Sequence, residues 1–386
     1  MTLKNLDKAP IPWFGGKRDA APAVWAALGD VNHYVEPFAG SLAVLLCRPH
    51  QCNRAYYSET VNDLDGLLVN FWRAIQADPR ATAEAASWPV AEIDLFARHY
   101  ALVKWRETGG AEKLRADPAF YDAKMAGWWA WGCCSWIGSG WCSGTGPWYV
   151  DSDGRVVKQP PARKRKAGVA SQLQHLGNDG QGVNRPQARE PGVASQLPHL
   201  NSNGQGVNHP QARELGVGEF HPMTMPELLR WFEFLSARLR HVRILNGDWK
   251  RALTGAVVKT LPVRNCGKKQ KYAGVFLDPP YGHDVRAAKL YAEESSTVAQ
   301  ECQQWCVKNG TDPAVRIVLA GFDTEHEVLE REHGWSCVEW FKCGFLKGGM
   351  SVKGGKGTSQ KRERLWLSPA CIVPKNDEGL LLLENQ

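Results

Sequence analysis

The sequence predicts an α/β fold built on a doubly wound, mainly parallel sheet that a large insertion interrupts. Short apolar runs of strand length alternate with segments of helical spacing in the first 70 residues and again from Met225 onward. Between them the character changes to tryptophan, glycine and a tandem repeat. The run Val275-Phe276-Leu277 is then stopped by Pro279-Pro280, which cannot continue a strand's hydrogen-bond ladder.

In chain order, Tyr34-Val35-Glu36 is a strand, and Gly40 to Leu46 a turn running into a helix. Tyr56-Tyr57-Ser58 is a second strand, with Asn62-Asp63 just after it. Apolar residues at 64, 67, 68, 71, 72 and 75 predict a helix over Leu64 to Gln76. Ala81 to Met125 is mostly helical and amphipathic. Leu228 to Leu239 is a helix, and His241 to Leu245 a strand leading to Asn246-Gly247-Asp248. The Asp278 strand follows, then strands at Arg316 to Ala320, around Cys337 to Phe341, and at Arg364 to Leu367.

The predicted division is a first catalytic part at 1–70, an inserted region at 71–222, a second catalytic part at 223–372 and a tail at 373–386. Within the insertion, Gly127 to Trp148 holds six tryptophans and reads as a compact aromatic knot, the core of that region. A hairpin is predicted at 147–158, turning at Asp151-Ser152-Asp153-Gly154. Residues 168–215 are two 24-residue copies with 18 identical positions. Two copies are too few for a self-supporting solenoid. Their Gly, Gln and Asn content suits a mobile insertion, or a DNA-contacting arm behind Arg163-Lys164-Arg165-Lys166. His175 and His199 recur with the repeat and are not read as catalytic.

Composition excludes several classes. No apolar stretch approaches the roughly 18 residues a membrane-spanning helix needs, and the N-terminus lacks a signal-peptide core. A cytoplasmic setting, in a bacterium or a phage-infected cell, is therefore expected. The 11 cysteines read as reduced thiols, and none has zinc-site spacing with matching ligands, so no metal is expected. Net charge is +7, but its placement matters more. Lys259 to Lys271, including Lys268 and Lys269, carries +5. Lys342 to Arg364, including Lys353 and Lys356, carries +6, which leaves −4 for the rest. Concentrated basic segments on a near-neutral body point to a polyanion partner, nucleic acid above all.

Four strand-end features converge. Glu36-Pro37-Phe38-Ala39-Gly40 opens into a Gly turn where backbone can approach a ligand closely. Asp63 is placed to accept ribose hydroxyls, or to cap a helix. Asp248 ends a third strand, and Asp278-Pro279-Pro280-Tyr281 a fourth. An acid, a stiff backbone and a ring at a strand's carboxyl end suit a flat, amine-bearing ligand.

With Pro12-Trp13-Phe14-Gly15-Gly16-Lys17, similar to Lys-Trp-Ala-Gly-Gly-Lys, these motifs resemble in content and order the Dam-like DNA adenine methyltransferases. The resemblance covers about 1–75 and 225–370. Two departures are Pro12 in place of lysine, and Leu42 after Ser41 where the family has small residues. The resemblance implies a Rossmann-like methyltransferase sheet with an inserted target-recognition domain. It implies S-adenosylmethionine as cofactor, held by Trp13, Lys17, Glu36, Phe38, Gly40, Asp63 and Asp248. Core packing is the other reading of Trp13 and Phe38. It further implies transfer of a methyl group to the N6 amine of adenine in double-stranded DNA. Asp278 and the Pro279 carbonyl would localise the amine's lone pair, and Tyr281 would stack on a flipped base. Arg163 to Lys166, Lys268, Lys269, Lys353 and Lys356 are the candidate DNA contacts. Alternatives are a cytosine-N4 or RNA methyltransferase, or a DNA-binding protein with little turnover; Asp278, where cytosine enzymes more often have serine, favours adenine. A monomer is expected, the duplication fits a phage or mobile element, and the resemblance implies a restriction-modification setting.

Overall fold

The computed structural model describes residues 7–13, 15–49, 57–136, 141–142, 148–150, 153, 155–158, 224–258, 272–280, 295–340 and 362–373. The repeat, the basic run 163–166 and most of the two basic segments lie outside them. The chain forms two compact units: Trp13–Asp65 with Arg238–Gln386, and Met1–Pro12 with Gly66–Ala237.

Among the described residues nine strands occur in chain order: β1 (His33–Glu36), β2 (Ser58–Asp63), β3 (Trp148–Val150), β4 (Val156–Lys158), β5 (Val242–Asn246), β6 (Ala273–Leu277), β7 (Val315–Phe322), β8 (Ser336–Val338) and β9 (Glu363–Leu367). The first unit holds a seven-stranded sheet ordered β5-β2-β1-β6-β7-β9-β8. Its first five strands are mutually parallel, and β9 and β8 add antiparallel at one edge. This is the predicted doubly wound α/β architecture.

Every residue of β6 is buried, as expected of a parallel strand covered on both faces. Val35, Val275, Leu277, Ile317 and Leu319 form one apolar layer with Cys302 and Cys306 of the helix Ser295–Asn309. The helix Ala21–Leu28, with Val24, Trp25 and Leu28 buried, packs against β6 and β7. The apolar runs specify these strands because hydrophobic burial drives them together.

The second strand corrects the sequence reading. It spans Ser58–Asp63, so Asn62 and Asp63 end the strand rather than follow it. Its polar composition hid it, because Glu59, Thr60 and Asn62 are all buried. Partners remote in sequence satisfy them. Arg48 and Arg238 donate to Glu59 at 2.7–2.9 Å, and Asn62 Nδ2 donates to the Pro37 and Gly247 carbonyls. The following helix is Gly66–Ala77, and Leu64 is exposed.

The other unit is helical, with helices Gly66–Ala77, Pro79–Ala86, Glu92–Trp105, Ala111–Ala116 and Ala123–Ser135, and the antiparallel β3–β4 hairpin. The aromatic knot is a correction: Trp128, Trp129 and Trp131 lie on the regular helix Ala123–Ser135. Asp122 caps it by accepting the Met125 amide. Trp129 and Trp131 are buried, and the Arg98 guanidinium lies 4.1 Å from the Trp131 ring centroid. His99 stacks on Trp136, and its Nδ1 accepts the Cys142 amide. Gly132 faces Trp141 so closely that a Cβ there would overlap the ring. Gly132→Ala should therefore cost about 1–3 kcal/mol through overpacking, read as a lower denaturation midpoint. An unchanged midpoint would show that Trp141 is not held against this helix.

Among the described residues no helix is long and apolar enough to cross a membrane.

Candidate active site

The parallel register brings the predicted acids to one edge of the sheet. Glu36 is level with Val61 on one side, and Val35 with Val275 on the other. Asp63 and Asp278 therefore lie two residues beyond Glu36, flanking β1 at the carboxyl ends of β2 and β6. Asp63 pairs in register with Asn246, which puts the end of β5 on the same edge. In such sheets this edge, where the strand order reverses, is where ligands bind.

Glu36 is fully buried and accepts a hydrogen bond from the Tyr34 hydroxyl at 3.0 Å. Burial pushes its carboxyl up to about 8; the Tyr34 bond opposes this and the Asp278 charge adds to it. Glu36 is thus largely protonated at neutral pH. Its folded-state value lies above the ordinary 4.5, so its contribution to stability is full below pH 4.5 and fades as pH rises through about 8. Glu36→Gln should match the unaltered protein near pH 5 and unfold at higher urea near pH 9. A gap of equal size at both pH values would count against this protonation.

Asp63 accepts the Gly40 amide at Oδ2 and the Asp65 amide at Oδ1, both at 2.9 Å. Burial raises it to about 6 against the pull of those amides. So the carboxylate holds the Gly turn in place, and the Gly40 amide already has an acceptor. Gly40 has φ +47, and a Cβ on it would meet Trp13 Nε1 at 2.7 Å, so the turn packs directly beneath the Trp13 indole. Leu42 also adopts a left-handed conformation, φ 56, which non-glycine residues rarely take. Its side chain is fully buried, so the core absorbs its bulk. The helix after it is a single turn, Ala43–Leu46.

Asp248 is exposed and lies past the end of β5, where it caps the turn Trp249–Leu253 by accepting the Lys250 amide. The neighbouring Trp249 is a site residue that sequence reading missed. Its ring stacks on half-buried Phe38 at 5.9 Å between centroids. Trp249 Nε1, Asn62 Oδ1 and Asn246 Oδ1 are buried with no hydrogen-bond partner among the described residues. Such orphaned polar atoms are uncommon in a native fold. Here they cluster at the ends of β2 and β5, beside Asp63.

Asp278 follows β6 with its side chain 19% exposed, and Pro279 is buried. The Lys17 ammonium lies 3.2 Å from Asp278 Oδ1, 3.8 Å from Glu363 Oε2 and 3.1 Å from the Gly15 carbonyl. Lys17 was expected at the cofactor; its described contacts reach the Asp-Pro-Pro-Tyr acid. Glu363 was not anticipated. Because β9 is antiparallel to β7, its first residue arrives at the edge where the parallel strands end. Tyr281, Arg163, Lys164, Arg165, Lys166, Lys268, Lys269, Lys353 and Lys356 lie outside the described residues. No metal-holding cluster of His, Cys, Asp or Glu occurs among the described residues.

Residues 13–100 match the family model of the D12 class N6 adenine-specific DNA methyltransferases. Over that segment the chain is similar to the D12 class. The class comprises S-adenosylmethionine-dependent, adenine-specific DNA methyltransferases. The D12-class match takes in Trp13, Lys17, Glu36, Phe38, Gly40 and Asp63, and ends before Asp248 and Asp278. No curated protein matches the chain.

Proposed function

We propose that the protein transfers a methyl group from S-adenosylmethionine to the N6 amine of adenine in double-stranded DNA, with the target base extruded from the duplex. One observation carries this reading: four sequence-predicted positions, Glu36, Asp63, Asp278 and the end of β5 before Asp248, sit together at the carboxyl edge of one parallel sheet.

The residues beside Asp63 suit a nucleoside. The Asp63 carboxylate can accept ribose hydroxyls. Asn62 Oδ1, Asn246 Oδ1 and Trp249 Nε1 offer unsatisfied acceptors and a donor, and Phe38 with Trp249 supplies flat apolar surface. The bound cofactor supplies a methyl group on a sulfonium centre. The chain's own work is positioning and electrostatics. An adenine amine is a weak nucleophile because its lone pair is delocalised into the ring. Donation of its hydrogens to the Asp278 carboxylate and the Pro279 carbonyl localises that pair on nitrogen, and the carboxylate stabilises the charge that develops there. Tyr281 is assigned to stack on the extruded base, since the amine is otherwise paired. The region 71–222 is assigned to target recognition, and the basic segments to phosphate contacts, so binding weakens steeply with salt.

The direct test is sequencing, with detection of modified bases, of DNA from cells expressing the chain. N6-methyladenine within one short motif is expected. Unmodified DNA, or modification on cytosine alone, would overturn the reading.

A further inference from the structure

Lys17 is 6% exposed and stands between two carboxylates that come from different parts of the chain. Asp278 follows β6, and Glu363 starts β9. At 3.2 Å the ammonium is ion-paired with Asp278 Oδ1, one of the two oxygens through which that carboxylate can accept. The adenine amine needs that same carboxylate, so Lys17 and the target compete for it. A lysine whose only acid were Asp278 would have to be stripped of its counter-ion in a buried place, which is costly. Glu363 Oε2, 3.8 Å away, offers a second acceptor within the reach of a small side-chain adjustment.

We propose that Glu363 is a positioning residue for methyl transfer: it takes the Lys17 ammonium as the target amine arrives, releasing Asp278 Oδ1 to accept from that amine. This rests on the adenine-methyltransferase reading above and assigns a role outside the matched segment. The site keeps its net charge throughout, since the ammonium passes between acids without leaving.

The surroundings fit a two-seat arrangement. The titratable groups facing Asp278 are Lys17 from the N-terminal segment, Glu36 from β1, which is largely neutral, and Glu363 from β9. The basic neighbours of Glu363 have acids of their own: Arg362 pairs with Asp323, and Arg364 with Glu339. Burial raises the Glu363 carboxyl, Lys17 lowers it and Asp278 raises it further, which reports electrostatic contact with both.

The test compares kcat and KM of methyl transfer to adenine-containing DNA in the unaltered protein, Glu363→Gln and Glu363→Asp. Glu363→Gln should lower kcat about 10- to 100-fold. Its KM for S-adenosylmethionine should stay within about threefold. Glu363→Asp should recover most of the rate. A merely structural lesion would disturb KM for S-adenosylmethionine together with kcat and would not be relieved by Glu363→Asp. Unchanged kcat in Glu363→Gln, or no recovery in Glu363→Asp, would overturn the inference and leave the methyltransferase reading standing. Absence of transfer by the unaltered protein would be a failure of that reading. A turnover-free measurement separates the two further: the Glu363 carboxyl, followed by carbon-13 NMR, should titrate at higher pH in Lys17→Gln. No change there would overturn the inference whatever the activity.

Discussion

Asp278→Ala abolishes methyl transfer while the protein remains folded and still binds S-adenosylmethionine: this is the largest functional effect expected of any single change. In the proposed mechanism Asp278 is the acid that the target amine must reach, and it combines a charge-assisted acceptor with an approach fixed by two prolines. Loss of such a preorganised electrostatic group costs about 10²–10³-fold in comparable sites. The alanine variant should fall to that level or lower, because Pro279 alone cannot localise the lone pair. The substitution also removes an anion from beside Lys17, which then has Glu363 as its carboxylate partner. That remaining pair is why the fold should survive. Asp278→Asn separates charge from shape: the amide keeps an acceptor oxygen but also presents a donor to the incoming amine, so its rate should stay near that of alanine. Tritiated methyl transfer with calorimetry of cofactor binding measures both quantities. Transfer at the unaltered rate would remove Asp278 from the chemistry.

How much of this was legible in the sequence depended on whether an element's partners are local. β6 and β7 announce themselves as apolar runs because both faces are covered, and the acids at the ends of β1 and β6 could be placed from strand termination alone. β2 was misplaced because it reads Ser-Glu-Thr-Val-Asn-Asp, a polar string whose burial is supported by Arg238, 179 residues away, and by the Gly247 carbonyl, 185 residues away. The helix Ala123–Ser135 was missed because glycine and tryptophan are poor helix formers, and tertiary packing overrides that preference. Glu363 was invisible for a topological reason. An acid at the start of a strand belongs to the far edge if the strand is parallel, and only antiparallel addition to β7 turns it toward Asp278. An antiparallel last strand on a parallel sheet is a pattern worth testing for whenever an acid opens it.

The largest expected loss of stability comes from Glu59, on the strand the sequence hid. Its carboxylate is 2% exposed and accepts from two guanidiniums, Arg48 at 2.9 Å and Arg238 at 2.7 and 2.9 Å. Arg48 donates in addition to the Val31 carbonyl and lies over Trp25, and Arg238 donates to the Leu45 carbonyl. Both cations are thereby fixed in place and cannot follow the charge if it is removed. Glu59→Ala would leave Arg48, itself 2% exposed, and the largely buried Arg238 without their common counter-ion. Breaking a buried pair from one side costs about 3–5 kcal/mol, far more than the pair's net worth against an apolar substitute. Two orphaned guanidiniums put this site at the upper end. Arg238→Met should cost clearly less, because Glu59 keeps Arg48. The effect should also reach the site, since Glu59 and Asp63 share β2 and the strand's register sets where Asp63 meets Gly40. Urea denaturation followed by tryptophan fluorescence, with cofactor binding measured below the transition, tests both parts. A loss below about 1 kcal/mol would mean that water reaches these charges and screens them as it does surface pairs.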